Sequence, residues 1–495
     1  MVFIDANVVN VALPQIQADL NADVSGVQWV VEAYSLFLAS LMLVGGSLGD
    51  RFGLKRIFAI GIALFAVASM WCGLAPNATQ LIVARAVQGI GGALLTPGSL
   101  AIIRATFNAA RRGRAIGLWS GFSAITSAIG PLLGGWLVQH LSWRWVFFIN
   151  IPLALVVLVV LFLPLRHLST VANESGSPNR LDWPGALLAT LGLGGLVFGF
   201  VESNTFGLGN QLVLLAIGVG VLALVAFVFV EVRSAFPMMP LKLFRSPTFS
   251  GTNLLTLFLY AALSGSLFFL PFDLIQAQGY SATAAGASLL PFTLLMFALS
   301  RWSGGLVNRF GAKLPLIVGP LVAAAGFALF ALPGVGGSYW TTFFPAVTVL
   351  GLGMSITVAP LTTAVLGAVS DRYAGIASGI NNAVARLASL LAIAILSIFV
   401  LNVFTASLSI RLASLPVPSS VRQTILAQSN RLAGVQIPAG VSPALRHSLE
   451  QAIAASFVSG FRVAMLIGCG LALAAALSAL LLVEGKPPRS RQQQQ

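Results

Sequence analysis

Charge is what this sequence has least of. Asp, Glu, Lys and Arg make up 8% of its 495 residues, where an ordinary soluble domain carries about 25%. With 57% apolar residues, that shortage excludes both a soluble globule and a disordered chain. Cys72 and Cys469 are the two cysteines, both inside apolar runs, so neither a disulfide framework nor a metal site is expected. His140, His167 and His447 fall at the ends of apolar runs or between them, and HExxH is absent, so no catalytic constellation assembles and no enzyme is expected. None of Lys55, Lys242, Lys313 and Lys486 follows the glycine pattern of a phosphate-binding loop. No basic region opens the chain, and Asp5, Asn7 and Asn10 interrupt its first apolar stretch, so no cleavable signal peptide is read.

Long apolar runs fill the space those absences leave. They specify an all-α polytopic membrane protein, because backbone in lipid must satisfy its own hydrogen bonds. Windows of about twenty residues predict fourteen spans, near 1–17, 27–49, 56–75, 79–103, 113–138, 144–164, 183–203, 211–231, 249–272, 283–307, 314–333, 340–367, 374–401 and 459–483. A helix from Met1 to Gln17 would reach ~25 Å against a hydrocarbon core of ~30 Å, so the first span is expected to begin upstream of Met1. Without insertion of that short segment the count is thirteen.

The net charge of +14 is distributed, not patched. Basic residues lie in short clusters between spans, which excludes a nucleic-acid partner and makes attraction to anionic lipid headgroups a by-product of topology. Alternate connections hold Arg51, Lys55, Arg56, Arg104, Arg111, Arg112, Arg114, Arg166, Arg180, Arg233, Lys242, Arg245, Arg309, Lys313, Arg372, Lys486, Arg489 and Arg491, eighteen in all, whereas the short connections opposite hold Arg144 alone. The positive-inside rule then puts both termini in the cytoplasm, in a multi-pass protein of the inner (plasma) membrane. Residues 402–458 become a long extracytoplasmic loop. Its amphipathic stretches around Val421, Ile425 and Leu432 and through Leu445, Leu449, Ile453 and Phe457 are expected as helices lying on the membrane or the protein. A cap is the preferred reading over a docking site, and the need for a periplasmic adaptor stays open.

The chain repeats itself. Gly46, Arg51, Phe52, Gly53, Lys55 and Gly61 match Gly304, Arg309, Phe310, Gly311, Lys313 and Gly319 at an offset of 258. The same offset maps Arg114, Gly117, Ser120 and Gly121 onto Arg372, Gly375, Ser378 and Gly379, and Leu13-Pro14 meets Leu270-Pro271 at 257. Two homologous six-helix bundles are expected, at 1–165 and 249–486, separated by a two-helix insert with its linkers at 166–248 and followed by a tail at 487–495. Parallel six-helix repeats with a site near midplane are how rocking-bundle transporters are built.

Four motifs carry a resemblance. Gly46-Ser-Leu-Gly-Asp50-Arg51-Phe-Gly53-Leu-Lys55-Arg56 has glycines for a tight turn and Asp50 where it can face a helix N-terminus or an arginine. Arg85-Ala-Val-Gln88-Gly89-Ile-Gly91-Gly92 sets an arginine within an apolar helix, where it needs a partner. Gly130-Pro131-Leu-Leu-Gly134-Gly135 combines a mid-helix proline with small residues that admit a close neighbour. The first span opens Ile4-Asp5-Ala-Asn7-Val-Val-Asn10-Val-Ala-Leu-Pro14, and the second holds Gln28-Trp29-Val-Val-Glu32-Ala-Tyr34. Over essentially its whole length the chain resembles the major facilitator superfamily, and within it the fourteen-span drug:proton antiporters of the EmrB/QacA type.

The resemblance implies that Gly46, Asp50, Arg51, Gly53 and Arg56 latch the cytoplasmic side in one state. The second copy has Asn308 in place of Asp50. It implicates Arg85 in proton movement and makes Gly130, Pro131, Gly134 and Gly135 an antiporter motif, found in exporters; the second half has Ser389 in place of Pro131. The family's pattern includes an N-terminal cytoplasmic extension, so the resemblance also leads to the expectation of a first span that begins upstream of Met1.

Asp5 and Glu32 are the carboxylates that fall well inside the spans of the first half. Such a group can exchange a proton for a cationic or polar substrate, each excluding the other. Asp5 is expected as the main coupling residue and Glu32 as a second acidic site nearer the outer face. A structural ion pair between Asp5 and Arg85, and an interfacial Glu32 beside Trp29 and Tyr34, are the alternatives. Asn10, Gln88, Asn381, Asn382 and Arg386 are candidates to line a substrate cavity, and Arg301 is expected to snorkel. The expected function is proton-coupled, alternating-access export of amphipathic, including cationic, toxic compounds. It needs no cofactor, since the proton gradient supplies the energy, and its partners are substrate, protons and lipid. A same-fold transporter dedicated to one metabolite is the alternative.

Overall fold

The computed structural model describes residues 1–106, 122, 126, 129–162, 183–234, 239–370 and 373–485, with the backbone alone at Phe3, Leu43, Ser47, Asp50, Arg51, Leu100, Ala101, Arg104, Ala105, Phe162, Trp183, Arg301, Asn308, Ala374 and Gly375. All regular structure among them is helical. The first unit contains α1 (Val2–Asp19), α2 (Val24–Phe52), α3 (Leu54–Leu74), α4 (Ala78–Thr106), α5 (129–140), α6 (Asn150–Phe162), α7 (Trp183–Phe206) and α8 (Gln211–Arg233). The second contains α9 (Pro247–Phe272), then, after the short α10 (Ala282–Ala287), α11 (Leu290–Phe310), α12 (Lys313–Phe330), α13 (Tyr339–Gly367), α14 (Ala374–Ala413), α15 (Ser419–Ala427) and α16 (Pro443–Leu482). The chain divides into Met1–Met238 with Tyr280–Ala287, and Met239–Gly279 with Ser288–Gln495, so the inserted pair α7–α8 belongs to the first unit and so does α10.

Eleven helices among the described residues are long and apolar enough to cross a membrane. Of the remaining expected spans, 1–17 is helical as α1 and 144–164 is a shorter apolar helix over Trp145–Leu161. Most of 113–138 lies outside the described residues, as do Arg111, Arg112, Arg114, Arg166, Arg180, Arg372 and the tail from Lys486.

Small residues set the spacing between helices. A methyl group on Gly61 of α3 would fall 2.9 Å from the Leu95 nitrogen of α4, and one on Gly326 of α12 would fall 2.6 Å from the Leu350 nitrogen of α13. The repeat also has a shared backbone device. α2 ends at Gly53 with φ +97°, its N–H bonded to the Gly49 carbonyl at 3.0 Å, and α11 ends at Gly311 with φ +75°, its N–H bonded to the Val307 carbonyl at 2.9 Å. Positive φ favours glycine, which is why both copies keep it.

The structure departs from the expected elements in three places. The span expected as one helix over 283–307 breaks between Ala287 and Leu290, and α11 starts with Pro291 in its first turn, where a missing N–H costs nothing. α9 runs past Phe272 into a π-helical turn, Asp273–Ala277. The stretch through Leu445, Leu449, Ile453 and Phe457 is no separate surface helix: it is the start of the 40-residue α16, with Leu449, Ile453 and Phe457 buried against protein. α14 likewise continues to Ala413. The connection between these two helices is 414–442, where α15 buries Ile425 and a 3-10 turn buries Leu432.

Candidate functional site

Asp5 stands in the first turn of α1, its N–H bonded to the Met1 carbonyl at 2.9 Å. Two glycines of α5 bring that helix against α1 beside it. A methyl group on Gly130 would lie 2.8 Å from the Asn7 Cβ, and one on Gly134 would lie 2.7 Å from the Val8 carbonyl oxygen. The other side of α5 meets α10, where Gly135 faces Ala282 and Gly286 faces Pro131. The glycine-proline motif is thus a packing surface that fixes the helix carrying Asp5.

Asp5 is fully buried, and both its oxygens are engaged. Oδ2 accepts from the Arg85 Nη1 at 2.5 Å. Oδ1 accepts from the Gln88 Nε2 at 2.9 Å and the Asn150 Nδ2 at 3.0 Å. Arg85, 1% exposed, donates through Nε to the Val30 carbonyl at 2.8 Å and through Nη1 to the Gln88 Oε1 at 2.7 Å. Its guanidinium also lies 4.2 Å from the Tyr34 ring centroid. Gln88 closes the network by donating to the Ser69 Oγ at 2.8 Å. Among the described residues this is the one ion pair between side chains. Five helices converge on it: α1, α2, α3, α4 and α6. A buried pair held this way is neutral as a unit, while either charge alone would cost several kcal/mol.

Of the residues singled out from the sequence, Asp5, Arg85 and Gln88 come together here. Glu32 does not join them. It is fully buried, but neither carboxyl oxygen has a hydrogen-bond partner among the described residues. Asn10 is half-buried on α1. In the second unit, Asn381 donates to the Thr256 Oγ1 at 2.7 Å and the Asn253 Oδ1 at 3.2 Å, Asn382 is exposed and bonds the Ser378 carbonyl of its own helix, and Arg386 is half-buried. In the glycine loop, a methyl group on Gly46 would make ordinary contact with Pro97 at 3.6 Å, Gly53 caps α2 and Arg56 is exposed. The side chains of Asp50 and Arg51 lie outside what is described. Asn150, Ser69 and the Val30 carbonyl were not legible as site members. The available signal was a lone amide in an apolar run (Asn150) and a lone hydroxyl in another (Ser69), which is weaker than an intramembrane charge. Among the described residues no cluster of His, Cys, Asp and Glu could hold a metal ion.

A family model described as Major Facilitator Superfamily matches residues 1–393. The chain is 34% identical over 492 residues to the tetracenomycin C resistance and export protein of Streptomyces glaucescens, covering 98% of this chain and 90% of that one. It is 33% identical over 476 residues to the multidrug resistance protein Stp of Mycobacterium tuberculosis, covering 94% and 87%. Its fold is similar to that of a bacterial homologue of the human lysosomal transporter Spinster, with a TM-score of 0.62 at 19% identity, covering 98% of this chain and 96% of that one.

Proposed function

The chain belongs to the major facilitator superfamily, and from that premise we propose that it is a proton-coupled antiporter exporting amphipathic, including cationic, toxic compounds. It is a secondary transporter, not an enzyme, and at family level it is linked to the superfamily's drug and antibiotic resistance exporters. Its many spans and its bacterial relatives assign it to a bacterial inner membrane. The finer reading is fourteen spans, two six-helix bundles with an inserted pair, both termini in the cytoplasm, and alternating access.

The observation that carries the reading is the buried Asp5–Arg85 pair. A carboxylate and a guanidinium sealed from water form a two-state element. With Asp5 ionised the pair is neutral and closed. A proton on Asp5 removes its charge, and Arg85 is left with neutral acceptors, the Gln88 Oε1 and the Val30 carbonyl, and with the Tyr34 ring. That redistribution of charge is what could couple proton occupancy to the packing of α1 against α4 and α5. The membrane potential adds ~2.3 kcal/mol per charge per 100 mV to the drive.

The test is ethidium transport by inverted membrane vesicles under an imposed acid-inside gradient. The wild type accumulates ethidium and dissipates the gradient in doing so. Asp5→Asn inserts normally but loses gradient-driven uptake. Normal gradient-driven uptake by Asp5→Asn would remove Asp5 from this role, and a wild type indifferent to ethidium and other amphipathic dyes would favour a dedicated metabolite transporter.

A further inference from the structure

α2 has two faces, and its contacts sort onto them by helical register. At 100° per residue, Val30, Tyr34, Phe37, Leu38 and Gly45 share one side. These residues meet α4: the Val30 carbonyl accepts from Arg85, the Tyr34 carbonyl and Phe37 abut Gly89, Leu38 abuts Gly92, and Gly45 abuts Ala93. Ser25, Gln28, Trp29 and Leu36 share the opposite side, and all four meet the inserted helix α7. Ser25 and Thr205 share a hydrogen bond of 3.1 Å between their hydroxyls, Gln28 accepts from the Asn204 Nδ2 at 3.3 Å, and the Trp29 Nε1 donates to the Glu202 Oε1 at 2.8 Å. The Trp29 and Phe198 rings lie 6.1 Å apart, and a methyl group on Gly194 would lie 3.6 Å from the Leu36 side chain.

Glu32 falls in the middle of that second face, between Trp29 and Leu36. It is therefore on the side of α2 turned away from Asp5 and Arg85, and its carboxyl group has no donor among the described residues. An ionised carboxylate there would be a buried charge without compensation, which costs several kcal/mol or more. The chemistry of the position is to hold a cation.

We propose that the inserted helix α7 completes a second proton-binding site at Glu32, separate from the Asp5–Arg85 pair, by sealing the α2 face on which it lies. This deepens the proton exchange proposed above and rests on it for its role in transport, though not for its existence. The occupant is a proton, because Glu32 is fully buried and among the described residues no cluster of His, Cys, Asp and Glu could hold a metal ion. The charged groups around Glu32 are few. Glu202 comes from α7; Asp5 and Arg85, from α1 and α4, lie across α2. α3 brings Lys55 and Arg56 in its first turn, some twenty residues along α2 from Glu32 and so about 30 Å away. At the start of α2, Asp23 caps the helix by accepting from the Gly26 N–H at 2.8 Å. The hydrogen bond from Trp29 makes α7 a positioning element: it ties Glu202 to α2 one turn from Glu32. Two helices that would otherwise be passive additions become a wall of the coupling machinery.

The test is infrared difference spectroscopy of the purified full chain in liposomes, titrated with buffer alone so that no substrate is needed. The wild type shows the carbonyl stretch of a protonated carboxyl group that disappears as pH rises. Glu32→Gln, nearly isosteric, loses that titrating band, Glu32→Asp retains a carboxyl band at a changed position, and Asp5→Asn keeps the wild-type band. Glu202→Gln changes the pH at which the band titrates, which a merely structural contact would not do. A spectrum in which Glu32→Gln removes no titrating carboxyl band of the wild type, or in which Asp5→Asn with Glu32 intact removes the same band that Glu32→Gln removes, overturns the proposal. Failure of ethidium transport in the wild type leaves the spectroscopic result standing, so the two readings fail separately.

Discussion

Arg85 is held in three directions at once, and lysine cannot copy that. The guanidinium donates from Nε to one helix and from Nη1 to Asp5 and Gln88, with the Tyr34 ring along its face, while an ammonium is a compact point charge on a flexible stem. Arg85→Lys is therefore expected to lower gradient-driven ethidium uptake to background, even with the charge kept. Removing one partner of a buried pair costs ~3–5 kcal/mol because the other charge is stranded. Asp5→Asn and Arg85→Gln should each lower the melting temperature in detergent. The double variant, which strands no charge, should melt above the Arg85→Gln single variant, and a double variant less stable than both singles would show that the two side chains are not coupled. At this scale the sequence announced its rare charges. Asp5 and Arg85 were legible because each is expensive in lipid. Their pairing was legible only as an alternative, and Asn150 not at all, because an uncharged amide in an apolar run does not declare which helix it faces.

Helices are positioned here by glycines, and two of them separate steric from conformational effects. A methyl group on Gly134 would strike backbone atoms of Val8, the carbonyl oxygen at 2.7 Å and Cα at 3.0 Å, which cannot swing aside as a side chain does. Gly134→Ala is expected to cost about 1–3 kcal/mol as an overpacked contact, and to slow transport because α1 carries Asp5. Gly53 has nothing within 4 Å of an added methyl, yet its φ is +97°. Gly53→Ala should thus cost about 1–3 kcal/mol through backbone strain alone. Thermal unfolding of both variants against wild type measures this, and a fully stable Gly53→Ala would mean that the α2 cap relaxes to another conformation. Helix identities were readable from apolar runs, whereas their ends were not. α14 and α16 extend well beyond the expected spans, to Ala413 and back to Pro443, since an amphipathic stretch continuous with a span propagates the helix more readily than it nucleates a new one.

Duplication preserved the frame and not the chemistry. The offset of 258 carries the Gly53 cap onto the Gly311 cap, but it carries Arg85 onto Phe343 and Gln88 onto Ala346, both buried and apolar. The charge network is therefore confined to the first unit. The same offset constrains topology. Gly53 and Gly311 close equivalent turns flanked by Arg51, Lys55, Arg309 and Lys313, and on the orientation proposed above from the positive-inside rule both turns face the cytoplasm. Two inserted helices keep that agreement; one would invert the second half. In the full chain, alkaline phosphatase fused after Gly311 or at the C-terminus is expected to be inactive, and fused within 207–209 or 414–442 to be active. A fluorescent protein at the C-terminus should fluoresce. Removing α8 alone should turn the fusion after Gly311 active, because the second half is then inverted and its basic clusters are forced to cross. An active phosphatase after Gly311 in the intact chain would break the equivalence of the two turns, and with it the claim that the inserted pair was added without reversing the repeat.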